Sequence, residues 1–481
     1  MKTKPEDQSE LSYWEHLIRY QKLNLILLVI LVLGIPSFTN YLLGEPLIRG
    51  GESYDHLFQA RDASWNNFYY FPLKWIAEAL PEGGLILIPV ILAIASILLI
   101  IKLAPWLGLE KKFTFCFLAL LIISPTFIFA FATLSAYSIY LFLVLSGFNL
   151  LMSRKKKFSS YSIIPFILAT FIDFFSSLLL VILLLIYLFF IVNKIDNHLF
   201  TIKRPFAFFN FKNNKKKITV INLVAVGILS IINLLLLKVP FILGPFHLQK
   251  ILPDLISDLG GLSGINFFTL LLAIIGLMLL WKRKKSYLFY ALLILTLIPY
   301  WSNTHTIFYL SIILTFFAAQ GLLKLFQKQW NLTELKKYTG LVIILGLLFS
   351  TATYLERIKD NGPSTEMVKA LYWIKTNIPD QKIVFSDPQN SNYITYFSGK
   401  KPFYTFSEKD AIKEGLTQKI FSSPYIDELF PLLEQNHISI IYITKDMRAK
   451  LSPEQGLLFL LKNERFKIVY SSEDAEVWVF S

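Results

Sequence analysis

The chain has 481 residues, of which 54% are hydrophobic, 16% aromatic and 17% charged, with a mean hydropathy of +0.54 and a net charge of +14. Soluble globular domains carry about 25% charged residues, so this composition excludes an ordinary water-soluble enzyme, a disordered tail and a fibrous repeat, and implies a polytopic membrane protein. The single cysteine, Cys116, lies inside an apolar run, which excludes disulfides within the chain and cysteine-ligated metal sites.

Residues 1–22 form a polar segment of mixed charge without a cleavable signal, so the first span is expected to act as its own anchor. Stretches free of Asp, Glu, Lys and Arg follow at 23–44, 83–101, 113–153, 158–193, 218–237, 259–281, 286–323 and 338–355, the fourth broken only by Asp173. A spanning helix needs roughly 20 apolar residues. The intervals 113–153 and 286–323 therefore hold two helices each, turning at Thr133–Ser138 and Pro299–His305.

Lysine and arginine placement resolves 158–193, which by length alone fits one tilted helix or two short ones. Two helices turning near Asp173 place 22 basic and three acidic residues in the inner loops. The outer loops 44–82 and 238–258 then hold 5 basic and 8 acidic residues. Cytoplasmic loops carry the excess of Lys and Arg. The expected fold is thus a polytopic α-helical membrane protein of about eleven transmembrane helices over 23–355, with a first outer loop at 45–82 and a cytoplasmic N-terminus. The basic balance is a signal of topology and of attraction to anionic inner-leaflet lipid. No nucleic-acid partner is implied, even by the run Arg154 to Lys157.

Residues 356–481 hold 33 of the 80 charged residues and read as a small extracytoplasmic α/β domain. Expected helices are 364–377, capped by Ser364 with Met367 and Val368 inward, 425–436 and 453–462. Expected strands are 382–386 and 438–444, with a hairpin of 465–471 and 475–480, in two or three layers.

The first outer loop carries the densest polar pattern. From Glu52 a helix places Glu52, Asp55, His56, Gln59 and Asp62 on one face, and Tyr54, Leu57, Phe58, Arg61 and Trp65 on the other. A carboxylate there is suited to act as general base toward an acceptor hydroxyl or to hold a divalent cation, Mg or Mn. A neighbouring cation such as Arg49, His56 or Arg61 can neutralise a phosphate leaving group. An amphipathic helix lying at the membrane surface fits the same pattern. The outer stretch His247–Asp258, with His247, Lys250, Asp254 and Asp258 between Gly244-Pro245 and Gly260-Gly261, reads as a loop able to close over a donor, or as an ordinary wet loop.

The motif Gly51-Glu52-Ser53-Tyr54-Asp55-His56-Leu57, just after the first span, resembles the first-loop motif of GT-C membrane glycosyltransferases, most like the archaeal branch of oligosaccharyltransferase catalytic subunits. The segments Ile256–Gly261, Ser386-Asp387 and Tyr396–Pro402 are similar to later segments of that group. Departures are Glu52 in place of the usual Asp, Asp55 in place of an aromatic, Phe58 in place of Arg with Arg61 one turn later, and a turn at 133–138 without any acid.

The resemblance implies inverting transfer of a hexose from a polyprenyl-phosphate donor in the membrane lipid to a glycan, lipid or protein acceptor at the outer face. Glu52 and Asp55 would be the catalytic acids. Arg49, His56, Arg61, His247, Lys250 and His305 would serve the donor phosphate or substrate. Glu52, Asp55, Asp254 and Asp258 are the candidates for a cation. A lipid or solute transporter, and a non-catalytic scaffold on the same fold, are the alternatives. The scarcity of charge at membrane depth, with Asp173 the clearest case, speaks against the transporter.

Overall fold

The computed structural model describes residues 18–61, 70–80, 82–153, 155–172, 174–192, 213–237, 255–281, 287–302, 306–327, 330, 332–405 and 410–480. Its principal elements begin with α1 (Gln21–Leu43), α2 (Gly51–Arg61), α3 (Tyr70–Ala79), α4 (Leu87–Leu103), α5 (Lys111–Ile122), α6 (Pro125–Ala132), α7 (Ala136–Leu151) and α8 (Lys156–Ser160). Then come α9 (Ile163–Thr170), α10 (Phe174–Val192), α11 (Asn213–Leu237), α12 (Phe267–Trp281), α13 (Tyr287–Ser302), α14 (Ile307–Gln327) and α15 (Thr333–Lys359). Two compact units result, one of Met1–Ser37 with Ile86–Ile358, the other of Phe38–Leu85 with Lys359–Ser481.

The first unit is helical. Among the described residues five helices are long and apolar enough to cross a membrane, within α1, Gly83–Leu103, α11, α14 and α15, and the bent pair α5–α6 makes a sixth. Helix α7, most of α10 and α12 are shorter apolar helices. Large apolar side chains such as Leu31, Leu235, Met278 and Phe349 face outward, as a lipid solvent permits. The interval 158–193 is divided between α9 and α10 around Asp173, which lies outside the described residues.

Two turns differ from expectation. The stretch 111–132 bends by 63° at Ile123-Ser124. There Ser124 caps α6 by accepting from the Phe127 N–H at 3.3 Å, and Pro125 follows at the first helical position. Helix α13 runs through Pro299 to Ser302, so the next turn begins later than Pro299.

Close backbone approach holds this unit together. A Cβ on Gly276 of α12 would meet the Phe317 carbonyl oxygen at 2.0 Å, and one on Gly321 of α14 the Leu272 oxygen at 2.2 Å. Small residues at such crossings let helices pack where no hydrophobic drive separates them from lipid. Polar side chains link neighbours as well. Asn222 donates to Ser162 Oγ at 2.7 Å, Asn233 to the Thr170 carbonyl at 2.6 Å, and Thr126 to Ser311 Oγ at 2.5 Å.

The second unit contains α2 and α3 and continues through α16 (Thr365–Asn377), β1 (Ile383–Phe385), β2 (Lys401–Pro402), α17 (Ala411–Ser422), α18 (Ile426–Gln435), β3 (Ile438–Thr444), α19 (Lys445–Lys450), β4 (Phe466–Ser471) and β5 (Ala475–Phe480). The sheet order is β2-β1-β3-β5-β4. Strand β1 runs parallel to β2 and β3, and β5 runs antiparallel to β3 and β4. Strand β3 is buried on both faces, as a central strand between helical layers should be. Ile441 and Ile443 pack with Leu429, Phe430 and Leu433 of α18 on one face. The three-layer form of the expected α/β domain is the one adopted.

Ser364 caps α16 as expected, accepting from the Met367 N–H at 3.3 Å. The core face of α16 is Ala370, Leu371 and Ile374, while Met367 and Val368 are half-buried. Strand β2 and helix α17 were not foreseen. The expected helix 453–462 shrinks to Leu457–Leu460.

Candidate functional site

The first-loop helix is anchored inside the second unit by contacts with residues more than three hundred positions away. Gly50 adopts φ 76°, a conformation glycine reaches without strain. Its N–H donates to the Asn361 carbonyl at 2.6 Å. Asn392 Nδ2 donates to the Gly51 carbonyl at 3.1 Å. Glu45 accepts from the Thr365 N–H at 2.7 Å.

Tyr54 of α2 is fully buried, and its hydroxyl donates to the Ile48 carbonyl at 3.0 Å. Its ring meets Tyr393, Tyr396 and Phe397 with centroids 5.1–5.4 Å apart. Tyr396 and Phe397 belong to a π-helical turn, Ile394–Ser398, ended by Gly399 at φ 67°. Such turns are rare and recur at functional sites. The Arg61 guanidinium lies 4.2 Å from the centroid of the Tyr396 ring. Two motifs that the sequence singled out separately, 51–57 and 396–402, are thus in direct contact.

The buried stripe of α2 is Ser53, Tyr54, Leu57 and Ala60. Phe58 is half-buried and Arg61 is exposed with its guanidinium over the Tyr396 ring, so neither belongs to that stripe. Glu52, Asp55, His56 and Gln59 share the half-buried side, and Gln59 Nε2 donates to Asp55 Oδ2 at 2.9 Å. Burial lowers the His56 imidazole below its usual range, against the opposing pull of Glu52 and Asp55, so it is neutral at pH 7.

Arg49 is only 1% exposed, and none of its guanidinium nitrogens has a hydrogen-bond partner among the described residues. Its main chain is pinned on both sides, with the Ser53 hydroxyl donating to its carbonyl. Burial brings the guanidinium down to about 10. Lys400, a buried cation of the same unit, is fully engaged. It donates at 2.6 Å to both the Ile378 carbonyl and Asp380, whose carboxyl it holds below the usual range. A buried cation without such partners is costly to keep in the fold.

Of the other candidates, one is described. Asp258 belongs to the helical unit. It accepts from the Phe267 N–H at 2.6 Å and from the Ser350 hydroxyl. His247, Lys250, Asp254 and His305 lie outside the described residues, as do Asp62 and Trp65. Among the described residues no three His, Cys, Asp or Glu side chains come together to hold a metal ion.

Sequence reasoning missed Asn361, Asn392 and Tyr393 as supports of the loop. The aromatic run Tyr393–Phe397 was the available signal.

No protein-family model matches the chain, and no curated protein matches it in sequence. Solved structures do match. The oligosaccharyltransferase of Archaeoglobus fulgidus in its apo form is similar with a TM-score of 0.57 and 12% identity, over 96% of this chain and 74% of that one. The same archaeal enzyme in complex with an inhibitory peptide and a dolichol-phosphate gives 0.57 and 12%, over 97% and 75%. A mycobacterial arabinofuranosyltransferase gives 0.54 and 14%, over 96% and 41%. At such identities the likeness is one of fold, and this chain is built on the framework those membrane glycosyltransferases share.

Proposed function

We propose that the chain is a membrane glycosyltransferase that takes a sugar from a polyprenyl-phosphate carrier and passes it to an acceptor hydroxyl or amide on the outer face, with Glu52 as general base. The observation that carries this reading is that Arg49–His56 holds a buried guanidinium with no hydrogen-bond partner among the described residues and, on one side of the helix that follows, two carboxylates. The whole-chain likeness to an oligosaccharyltransferase crystallised with dolichol-phosphate supports it.

The chemistry follows from the residues. The acceptor oxygen or nitrogen attacks the anomeric carbon while Glu52 removes its proton. The bond to the carrier phosphate breaks, and the electron pair leaves with the phosphate. Arg49 offsets the charge that grows on that phosphate in a site sheltered from water. Neutral His56 can donate a hydrogen bond to a phosphate oxygen without adding charge. Gln59 fixes the Asp55 carboxylate, which makes Asp55 an orienting group beside Glu52. No step is routed through a cation.

The test is transfer of a labelled sugar from polyprenyl phosphate by the purified full chain. Glu52→Gln is expected to lower transfer by roughly 100-fold, the scale of a general base, and Asp55→Asn by less. Unchanged transfer in Glu52→Gln would remove Glu52 from the mechanism. Absence of transfer by the parent with every polyprenyl-phosphate sugar supplied would favour the non-catalytic scaffold.

A further inference from the structure

The helical unit contains a cavity of about 680 Å³ between the end of α4, the last turns of α7 and the start of α8. Its size falls in the range of small-molecule sites. Its polar lining is Lys102, Ser146, Asn149, Ser153 and Lys155, with no acid among the described residues. Asn149 is held in place by donating to the Leu99 and Leu145 carbonyls, each at 3.2 Å, so the floor between α4 and α7 is fixed. Both lysines are exposed.

The surroundings repeat this sign. The segments 102–112 and 153–157 hold seven basic residues and one acid, Glu110, which does not line the cavity. Lys215 reaches the same end of the bundle, donating to the Met152 carbonyl at 3.2 Å and lying 5.8 Å from the Trp106 ring centroid. One wall of the cavity is apolar and continues outward. Leu99 and Phe158 line it, Phe158 is 45% exposed, and Tyr161 and Ile164 next to it in sequence are also exposed. The Lys155 ammonium lies 5.7 Å from the Phe158 ring centroid.

From this arrangement we infer that the cavity seats the phosphodiester headgroup of an anionic glycerophospholipid, with Lys102 and Lys155 bracketing the phosphate, the hydroxyls of Ser146 and Ser153 donating to its oxygens or to the glycerol, and the acyl chains lying along the exposed apolar wall. Two cations with no acid beside them in the described lining favour an anion. An exposed apolar wall beginning at the same cavity calls for one that carries hydrocarbon. Lysines near a membrane surface favour anionic lipid. This site is separate from the residues of the first loop and does not depend on their role.

The experiment measures lipid retention and thermal unfolding of the full chain in detergent. Phosphatidylglycerol, phosphatidylcholine and inorganic phosphate are added in parallel. Phosphatidylglycerol is expected to raise the unfolding midpoint and to be retained through delipidation. Its apparent affinity should fall on the order of ten-fold in the double variant K102Q/K155Q. A control variant, K111Q/K112Q, removes two lysines of neighbouring sequence that do not line the cavity, and is expected to keep most of the affinity. Equal stabilisation by phosphatidylcholine would overturn the inference, and so would an equal loss in the control. An effect of inorganic phosphate matching that of the lipid would replace the proposed occupant with a free anion and overturn it too. Because the lysines are exposed, their replacement by glutamine leaves the core intact.

Discussion

Two glycine-bearing turns, one in each unit, contain similar groups put to opposite uses. In the helical unit the turn Ser257–Asn266 includes Gly260 at φ 111°. Its Asp258 accepts from Ser350 and from the Phe267 N–H. Arg357 donates to the Ser257 and Gly261 carbonyls at 2.5 and 2.9 Å, and the Tyr354 hydroxyl donates to the Leu262 carbonyl. The first-loop turn around Gly50 also has an arginine and acids, yet Arg49 is buried with no partner among the described residues. Charges that have already found partners stabilise a fold. A charge kept in place without a partner lowers stability, and such a cost is tolerated where a ligand supplies the missing group. The first turn is closed by its own hydrogen bonds, and the second matches the role proposed for Arg49 above.

The comparison breaks most visibly at Arg49. Arg49→Met is expected to lower sugar transfer by roughly 100-fold, the scale of losing one charge-stabilising donor, while raising the unfolding midpoint. Lowering the guanidinium from its ordinary range to about 10 corresponds to an upper limit of about 3 kcal/mol. Parallel transfer assays and thermal melts check both signs. A less stable Arg49→Met protein would mean that the guanidinium is engaged after all.

Arg357→Met should do the reverse. It leaves two carbonyls without donors and is expected to destabilise the helical unit by about 2–3 kcal/mol. Transfer per folded molecule should change little, which a melt and an active-fraction assay separate.

The smallest expected effect concerns His56. Its folded form binds a proton less readily than the unfolded chain, whose histidine titrates near 6.5. Below that pH the unfolded state takes up a proton that the folded state refuses. Stability is therefore flat above about pH 7 and falls as pH drops through 6.5, by at most about 1.4 kcal/mol per pH unit. Melts at pH 5.5 and 7.5 should differ more in the parent than in His56→Gln.

Much of the fold was legible because it depends on local signals. Ser364 caps α16 for the same reason that it was read as a cap, and β3, β4 and β5 follow from runs of β-branched and aromatic residues. What was not legible depends on partners distant in sequence. Phe58 and Arg61 were grouped with Tyr54 and Leu57 by periodicity alone, whereas the buried stripe is Ser53, Tyr54, Leu57 and Ala60, with Tyr54 packed on an aromatic turn more than three hundred residues away. The bend at Ser124-Pro125 was hidden in an interval uniformly apolar, though the Ser-Pro pair was its signal. The acids of the first loop were visible as a motif. The burial of Arg49 was not, since nothing in Ile48-Arg49-Gly50 distinguishes a buried arginine from an exposed one.

The packing of Tyr54 against Tyr393, Tyr396 and Phe397 has a consequence in time. Synthesis proceeds at about 5–20 residues per second, so α2 leaves the ribosome roughly twenty seconds to a minute before the aromatic turn that covers it exists. During that interval its apolar side has no native cover from that turn. A truncation ending before residue 391 should therefore leave the first loop open to protease however well the helices around it have inserted.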